Sequence, residues 1–166
     1  EKTMKPFICV TAIAAPMDQD NIDTDQILPA RHLMMPRDEL YGSYVFKDLR
    51  LDEDENENKN FILNKEGFRS AKIIVAGDNF GCGSSREGAV FTLVDAGFRA
   101  IIATSFGDIF YNNSFNNGLL PVVLPEETVR SLRQQLHYAP GAEITVDLEE
   151  KKVTAPDQGT HAFDID

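Results

Sequence analysis

Residues 71–98 read AKIIVAGDNFGCGSSREGAVFTLVDAGF. The first seven are mostly apolar and end in glycine, the pattern of a buried strand. From 86 onward, apolar residues at 89, 90, 93, 94 and 98 fall at helical spacing. Between them lies GDNFGCGSS (77–85), rich in residues that make tight turns. A strand that passes through a glycine turn into a helix is the first half of a βαβ unit, so this stretch predicts parallel strands with helical crossovers.

The pattern continues outward. RAIIA (99–103) and LLPVVL (119–124) read as strands, and FGDIFYNNSFNNG (106–118) as a helix closed by Gly118. PEETVRSLRQQLHY (125–138) opens on proline and two acids, which favour a helix start. AEITVDLEEKKVTAP (142–156) alternates on both sides of a polar EEKK, as a hairpin does. PFICVTAI (6–13) supplies a first strand, and Phe163 and Ile165 fall on one face of a last one. The reading is a single α/β layered domain over 1–166, with a largely parallel central sheet flanked by helices.

Two regions lack this regularity. Residues 14–30, AAPMDQDNIDTDQILPA, are turn-rich, with Asp and Asn suited to turns and helix caps. Residues 31–60 have no period and include LDEDENENKN, read as a solvated, mobile loop. A long irregular segment in a compact domain commonly serves as a lid or substrate loop.

With 166 residues, 16 Lys+Arg and 27 Asp+Glu, the net charge is −11. That balance argues against nucleic acid and against an anionic membrane as the main partner, since both need a basic face. It leaves room for a small anionic substrate held by a local arginine. Two cysteines, Cys9 and Cys82, suit a reducing cytoplasm and are too few for the ligands of an iron–sulfur cluster. No apolar run reaches the roughly 18–20 residues of a membrane helix, and no signal peptide is visible. Met4 reads as a natural start.

The glycine–serine–arginine loop supports two readings. In one, Ser84 caps the helix and Glu87 completes a capping box, with Gly81 and Gly83 at positive φ. In the other, the helix N-terminus, the hydroxyls of Ser84 and Ser85 and the fork of Arg86 bind an anion, most naturally a carboxylate. The loop lacks the Gly-Lys-Ser/Thr ending of a phosphate-binding loop and the third glycine of a dinucleotide fingerprint. Cys82 suggests a nucleophile, but His32, His137 and His161 are distant in sequence.

GDNFGCGSSRE, the upstream NIDTDQILP (21–29) and the downstream SFGDIFYNNSFNNGLLP (105–121) follow one another here in an order similar to that of the aconitase-like swivel domain family. Within that family the chain most resembles the small subunits of isopropylmalate dehydratases, over nearly its whole length. The resemblance implies a layered β/β/α swivel fold. It implies that Ser84 is the base that acts on a substrate C–H, and that Ser85 and Arg86 bind a substrate carboxylate. Asp25 and Thr24 would join the hydrogen-bond shell; capping a helix is the other reading of their motif. Leu33, Met34 and Met35, in the loop that distinguishes substrate side chains in the family, would contact an isopropyl group or simply pack under the loop.

The resemblance further implies a large subunit as partner, a small dicarboxylate as substrate, and a [4Fe–4S] cluster held by that large subunit, with no cofactor or metal on this chain. The isolated chain would be inactive. The family's small subunits usually continue past HAFDID, so a further C-terminal segment is expected. One departure stands out: the family motif commonly runs Ser-Ser-Arg-Glu-His-Ala, and Gly88 stands here in the histidine's place. That leaves open a sister dehydratase acting on homoaconitate, a dimethylmalate or citraconate. A non-catalytic module that binds carboxylates or a partner is the third reading.

Overall fold

The computed structural model describes residues 9–84 and 86–165. In chain order the regular elements are β1 (Cys9–Pro16), α1 (Thr24–Ile27), α2 (Lys47–Arg50), β2 (Ile73–Val75), α3 (Glu87–Asp95), β3 (Ala100–Ala103), α4 (Asp108–Asn116), β4 (Leu120–Val123), α5 (Glu126–Tyr138), β5 (Glu143–Asp147), β6 (Lys152–Thr154) and β7 (Thr160–Ala162). One sheet holds all seven strands in the order β4-β3-β2-β1-β5-β6-β7. β4, β3, β2 and β1 run parallel at one end of the sheet, and β5, β6 and β7 extend the β1 edge antiparallel.

Alternation along the strands feeds two cores. Ile73, Val75, Ala100 and Ile102 face one side, where α5 lays down Val129, Leu132 and Leu136 and the terminal hairpin adds Ile144 and Val153. Ile74, Ile101 and Ala103 face the other, against Val90 and Leu93 of α3, Phe110 of α4 and the long segment that carries Phe46 and Phe68. The strand order steps in one direction from β2 to β4. Crossovers of one hand then put α3 and α4 on the same face. Both helices end on a left-handed glycine, Gly97 (φ 101°) and Gly118 (φ 80°). In each, the next amide returns to a carbonyl five residues back (Phe98 to Leu93, Leu119 to Ser114, both 3.0 Å).

The irregular segment is less loose than its composition implies. The acidic run is exposed, but Asp52 Oδ1 accepts from the amides of Asp54 and Asn56, and Asn64 Nδ2 donates to the carbonyls of Arg50 and Asn58. Short acid and amide side chains close turns on their own backbone, so a polar sequence folds back on itself without an apolar core.

Candidate active site

β1, β2 and β3 are adjacent and parallel, so the loops that leave their carboxyl ends emerge side by side. These loops are the three sequence motifs. Residue 23 bridges to Cys82, and Phe80 bridges to Phe106, so the middle loop is paired on both sides. The Thr24 amide donates to the Cys82 carbonyl at 2.9 Å, Gly81 to Ile22 at 2.7 Å, Phe80 to Ser105 at 3.0 Å and Gly107 to Phe80 at 2.9 Å. Asp78 anchors the start. Its amide donates to Asp20 Oδ1 at 2.7 Å, and its carboxylate accepts from the hydroxyls of Thr104 and Ser105. Those hydroxyls hold the Asp78 carboxyl below the usual carboxylate range.

Glycine is required where the loops touch. Gly81 has φ 78°, and a Cβ there would lie 2.2 Å from the Phe110 ring. Gly81→Ala therefore combines a left-handed residue, about 1–2 kcal/mol, with overpacking of similar size. The expected loss is about 3 kcal/mol, or roughly 6–12 °C in Tm for a chain of this size, read by thermal unfolding. A change under 2 °C would show that the loop relaxes freely.

The capping box expected at Ser84–Glu87 does not form. The N-cap of α3 is Arg86 (φ −127°, ψ 114°), with no side-chain cap bond, and Glu87 is the first helical residue. The cause is tertiary. Thr24, 3% exposed, donates its hydroxyl to the Ser84 carbonyl at 3.0 Å and holds Ser84 outside the helix. A capping box does form nearby: Asp23 Oδ1 accepts from the Gln26 amide at 2.8 Å, and Gln26 Oε1 accepts from the Asp23 amide at 3.0 Å.

The result is a half-open cleft of about 280 Å³ lined by Thr24, residues 81–84, Arg86 and residues 107–110. Ser84 is exposed in it. The N-cap of α3 and the first turn of α4 border it, and neither helix has a side-chain cap bond at its start, so two positive dipole ends point toward it. The Arg86 side chain is 23% exposed. Its Nη1 is buried without a hydrogen-bond partner among the described residues, and the nearest carboxylate oxygen, Asp25 Oδ1, stands 3.5 Å away. A guanidinium with a free donor beside two helix N-termini suits an incoming carboxylate.

The sequence-predicted residues divide. Ser84, Arg86 and Thr24 line the cleft, and Asp25 stands beside Arg86 while accepting from the Ala30 amide at 3.0 Å. Ser85 lies outside the described residues. Leu33 packs with Leu28, Tyr41 and Tyr44 rather than in the cleft, and Met34 is 94% exposed beside it in sequence. Asp108 and Ile109 line the cleft without having been singled out; their place directly after Gly107, at a helix start, was the available signal. None of the three histidines lines the cleft, and burial, helped by the Asp23 carboxylate, pushes the Cys82 thiol up, away from a thiolate nucleophile. Among the described residues no group of three or more His, Cys, Asp and Glu is placed to hold a metal ion, and no helix is long and apolar enough to cross a membrane.

A profile of the aconitase C-terminal domain matches residues 4–127, and one described as LeuD_N matches residues 130–166. The chain belongs to the aconitase C-terminal domain family, in its branch of 3-isopropylmalate dehydratase small subunits. It is 49% identical over 163 residues to the 3-isopropylmalate dehydratase small subunit of Jannaschia sp. (strain CCS1), covering 98% of this chain and 81% of that one. To the protein of the same name from Brucella canis it is 47% identical, with the same coverage. Among solved structures, the crystal structure of 3-isopropylmalate dehydratase from Methanocaldococcus jannaschii aligns with a TM-score of 0.66 at 29% identity, over 95% of this chain and 82% of that one.

Proposed function

We propose that this chain is the small subunit of a heteromeric hydro-lyase that interconverts 2-isopropylmalate and 3-isopropylmalate, a step of leucine biosynthesis in the cytoplasm. The observation that carries the reading is Arg86, its Nη1 without a hydrogen-bond partner and only loosely ion-paired with Asp25 at 3.5 Å, beside Ser84 in a cleft bordered by two helix N-termini. The names of its relatives supply the substrate.

In this reading Arg86 and Ser85 hold one substrate carboxylate. Ser84, kept out of the helix by Thr24, takes the proton from the substrate carbon. The amides of the first turn of α3 and the guanidinium stabilise its alkoxide, which a serine in water could not sustain. Asp25 orients Arg86. Met34, exposed and so available for that contact, forms the apolar wall for the isopropyl group once the large subunit closes the cleft, with Leu33 behind it in the Leu28, Tyr41 and Tyr44 cluster. The [4Fe–4S] cluster, expected on the large subunit, would supply the Lewis acid for the departing hydroxyl.

The test is turnover after anaerobic assembly with the cognate large subunit, on isopropylmalates beside citraconate, homoaconitate and a dimethylmalate. Preference for the isopropylmalates by tenfold or more is expected, with no turnover by either subunit alone. Preference for another diacid would keep the chemistry and reassign the pathway. Full activity of the large subunit alone would overturn the reading.

A further inference from the structure

Gly88 has no backbone reason to be glycine. It is the second residue of α3, and its φ is not among the positive values that exempt Gly81, Gly83 and Gly97. In that position glycine costs about 1 kcal/mol of helix stability relative to alanine. The neighbours explain it. A Cβ on Gly88 would lie 2.6 Å from the Tyr41 hydroxyl oxygen and 2.7 Å from Leu28 Cδ2.

Tyr41 reaches that point because the segment before and after it is strapped along α3. Arg37 makes a two-pronged contact with the Asp95 carboxylate, at 3.0 and 2.9 Å, and its guanidinium lies 4.2 Å over the Phe91 ring. Gly42 sits on the backbone of Asp95 and Ala96, where a Cβ would come within 2.6 Å of Asp95. Thr92 donates its hydroxyl to the Tyr41 carbonyl at 2.8 Å. Held there, Tyr41 is 4% exposed and meets Tyr44 edge-on at 5.8 Å. Its ring runs from Thr92 toward the helix start, and its hydroxyl ends over the turn that opens on Arg86.

We propose that Tyr41 is a positioning residue of the carboxylate site: it fills the space over Gly88, sets where the first turn of α3 stands, and so aims Arg86 into the cleft. The proposal rests on the reading of Arg86 as the carboxylate anchor. It makes residues 41 and 88 one steric unit and ties the irregular loop to the site through a buried ring. Removing the hydroxyl leaves the turn unsupported, and adding a methyl at 88 pushes it away. Making both changes removes the clash with the hydroxyl and leaves only the one with Leu28 Cδ2, so the fit is partly restored.

The test is a cycle of Tyr41→Phe, Gly88→Ala and the double variant in the assembled enzyme. Tyr41→Phe is expected to raise KM about fivefold and Gly88→Ala about tenfold, each with a smaller fall in kcat, because the arginine chiefly anchors the carboxylate and only secondarily supports the Ser84 alkoxide. The double variant should have a lower KM than Gly88→Ala alone. A KM equal to the product of the two single effects, or an unchanged KM in Tyr41→Phe, would overturn the proposal. The Arg86 Nε–Hε NMR signal of the full chain gives a readout independent of substrate. It should shift in Tyr41→Phe, and an unmoved signal would also count against it. If that signal shifts while the wild type fails to turn over isopropylmalate, the functional reading falls and the positioning role stands. Turnover with an additive cycle gives the reverse.

Discussion

Ser84→Ala should lower kcat of the assembled enzyme by about a thousandfold, within the 10²–10⁴ range for loss of a positioned acid–base group, and leave KM within about threefold. The geometry separates the two effects. Ser84 is exposed in the cleft and lies outside α3, because the Thr24 hydroxyl holds its carbonyl. Its side chain therefore caps nothing: the N-cap is Arg86, with no side-chain cap bond. Removing Oγ should cost the fold little, so Tm should stay within about 2 °C, the range of a surface change. This also separates the two readings of the loop. A capping serine would lose about 1 kcal/mol of stability and no turnover; a base loses turnover and no stability. Steady-state kinetics and thermal unfolding on one preparation distinguish them. Full turnover in Ser84→Ala would move the base to another residue or to the large subunit.

How legible was all this in the chain itself? The β2–loop–α3 unit was readable because its signals are local: an apolar run, glycines where φ is positive, and apolar residues at helical spacing. The hairpin of β5 and β6 was equally plain from alternation around the EEKK turn. What stayed hidden depends on distant contacts. Ser84-x-x-Glu87 has the letters of a capping box, yet a hydroxyl from residue 24 decides that the helix starts at 87. Gly88 read only as a departure from the family motif, and the arrival of Tyr41 from a loop 47 positions earlier makes it a fit. The antiparallel extension on the β1 edge could not be ordered from the sequence, since pairing partners lie more than a hundred residues apart: Val10 pairs with Val146. Asp108 and Ile109 joined the cleft because β3 neighbours β2, a fact of topology rather than of motif.

Arg86→Lys should raise KM for the diacid by about tenfold to a hundredfold, the equivalent of losing one charge-assisted hydrogen bond of about 1.5–3 kcal/mol, while kcat falls less. Lysine keeps the charge, so a purely coulombic role would survive the change. What it lacks is the planar fork. In this site the fork has two tasks at once. Nη1 stands 3.5 Å from Asp25 Oδ1, and the same atom has no hydrogen-bond partner among the described residues. An ammonium drawn to Asp25 would leave the cleft, and one drawn to the substrate would leave Asp25. A guanidinium spans both because its nitrogens are fixed apart in one plane. Asp25→Asn in the Arg86→Lys background tests that competition: with the rival carboxylate gone, KM should recover part of the loss. No recovery would mean that Asp25 does not compete for the cation. An unchanged KM in Arg86→Lys itself would remove the arginine from carboxylate binding, and with it the observation on which the functional assignment rests.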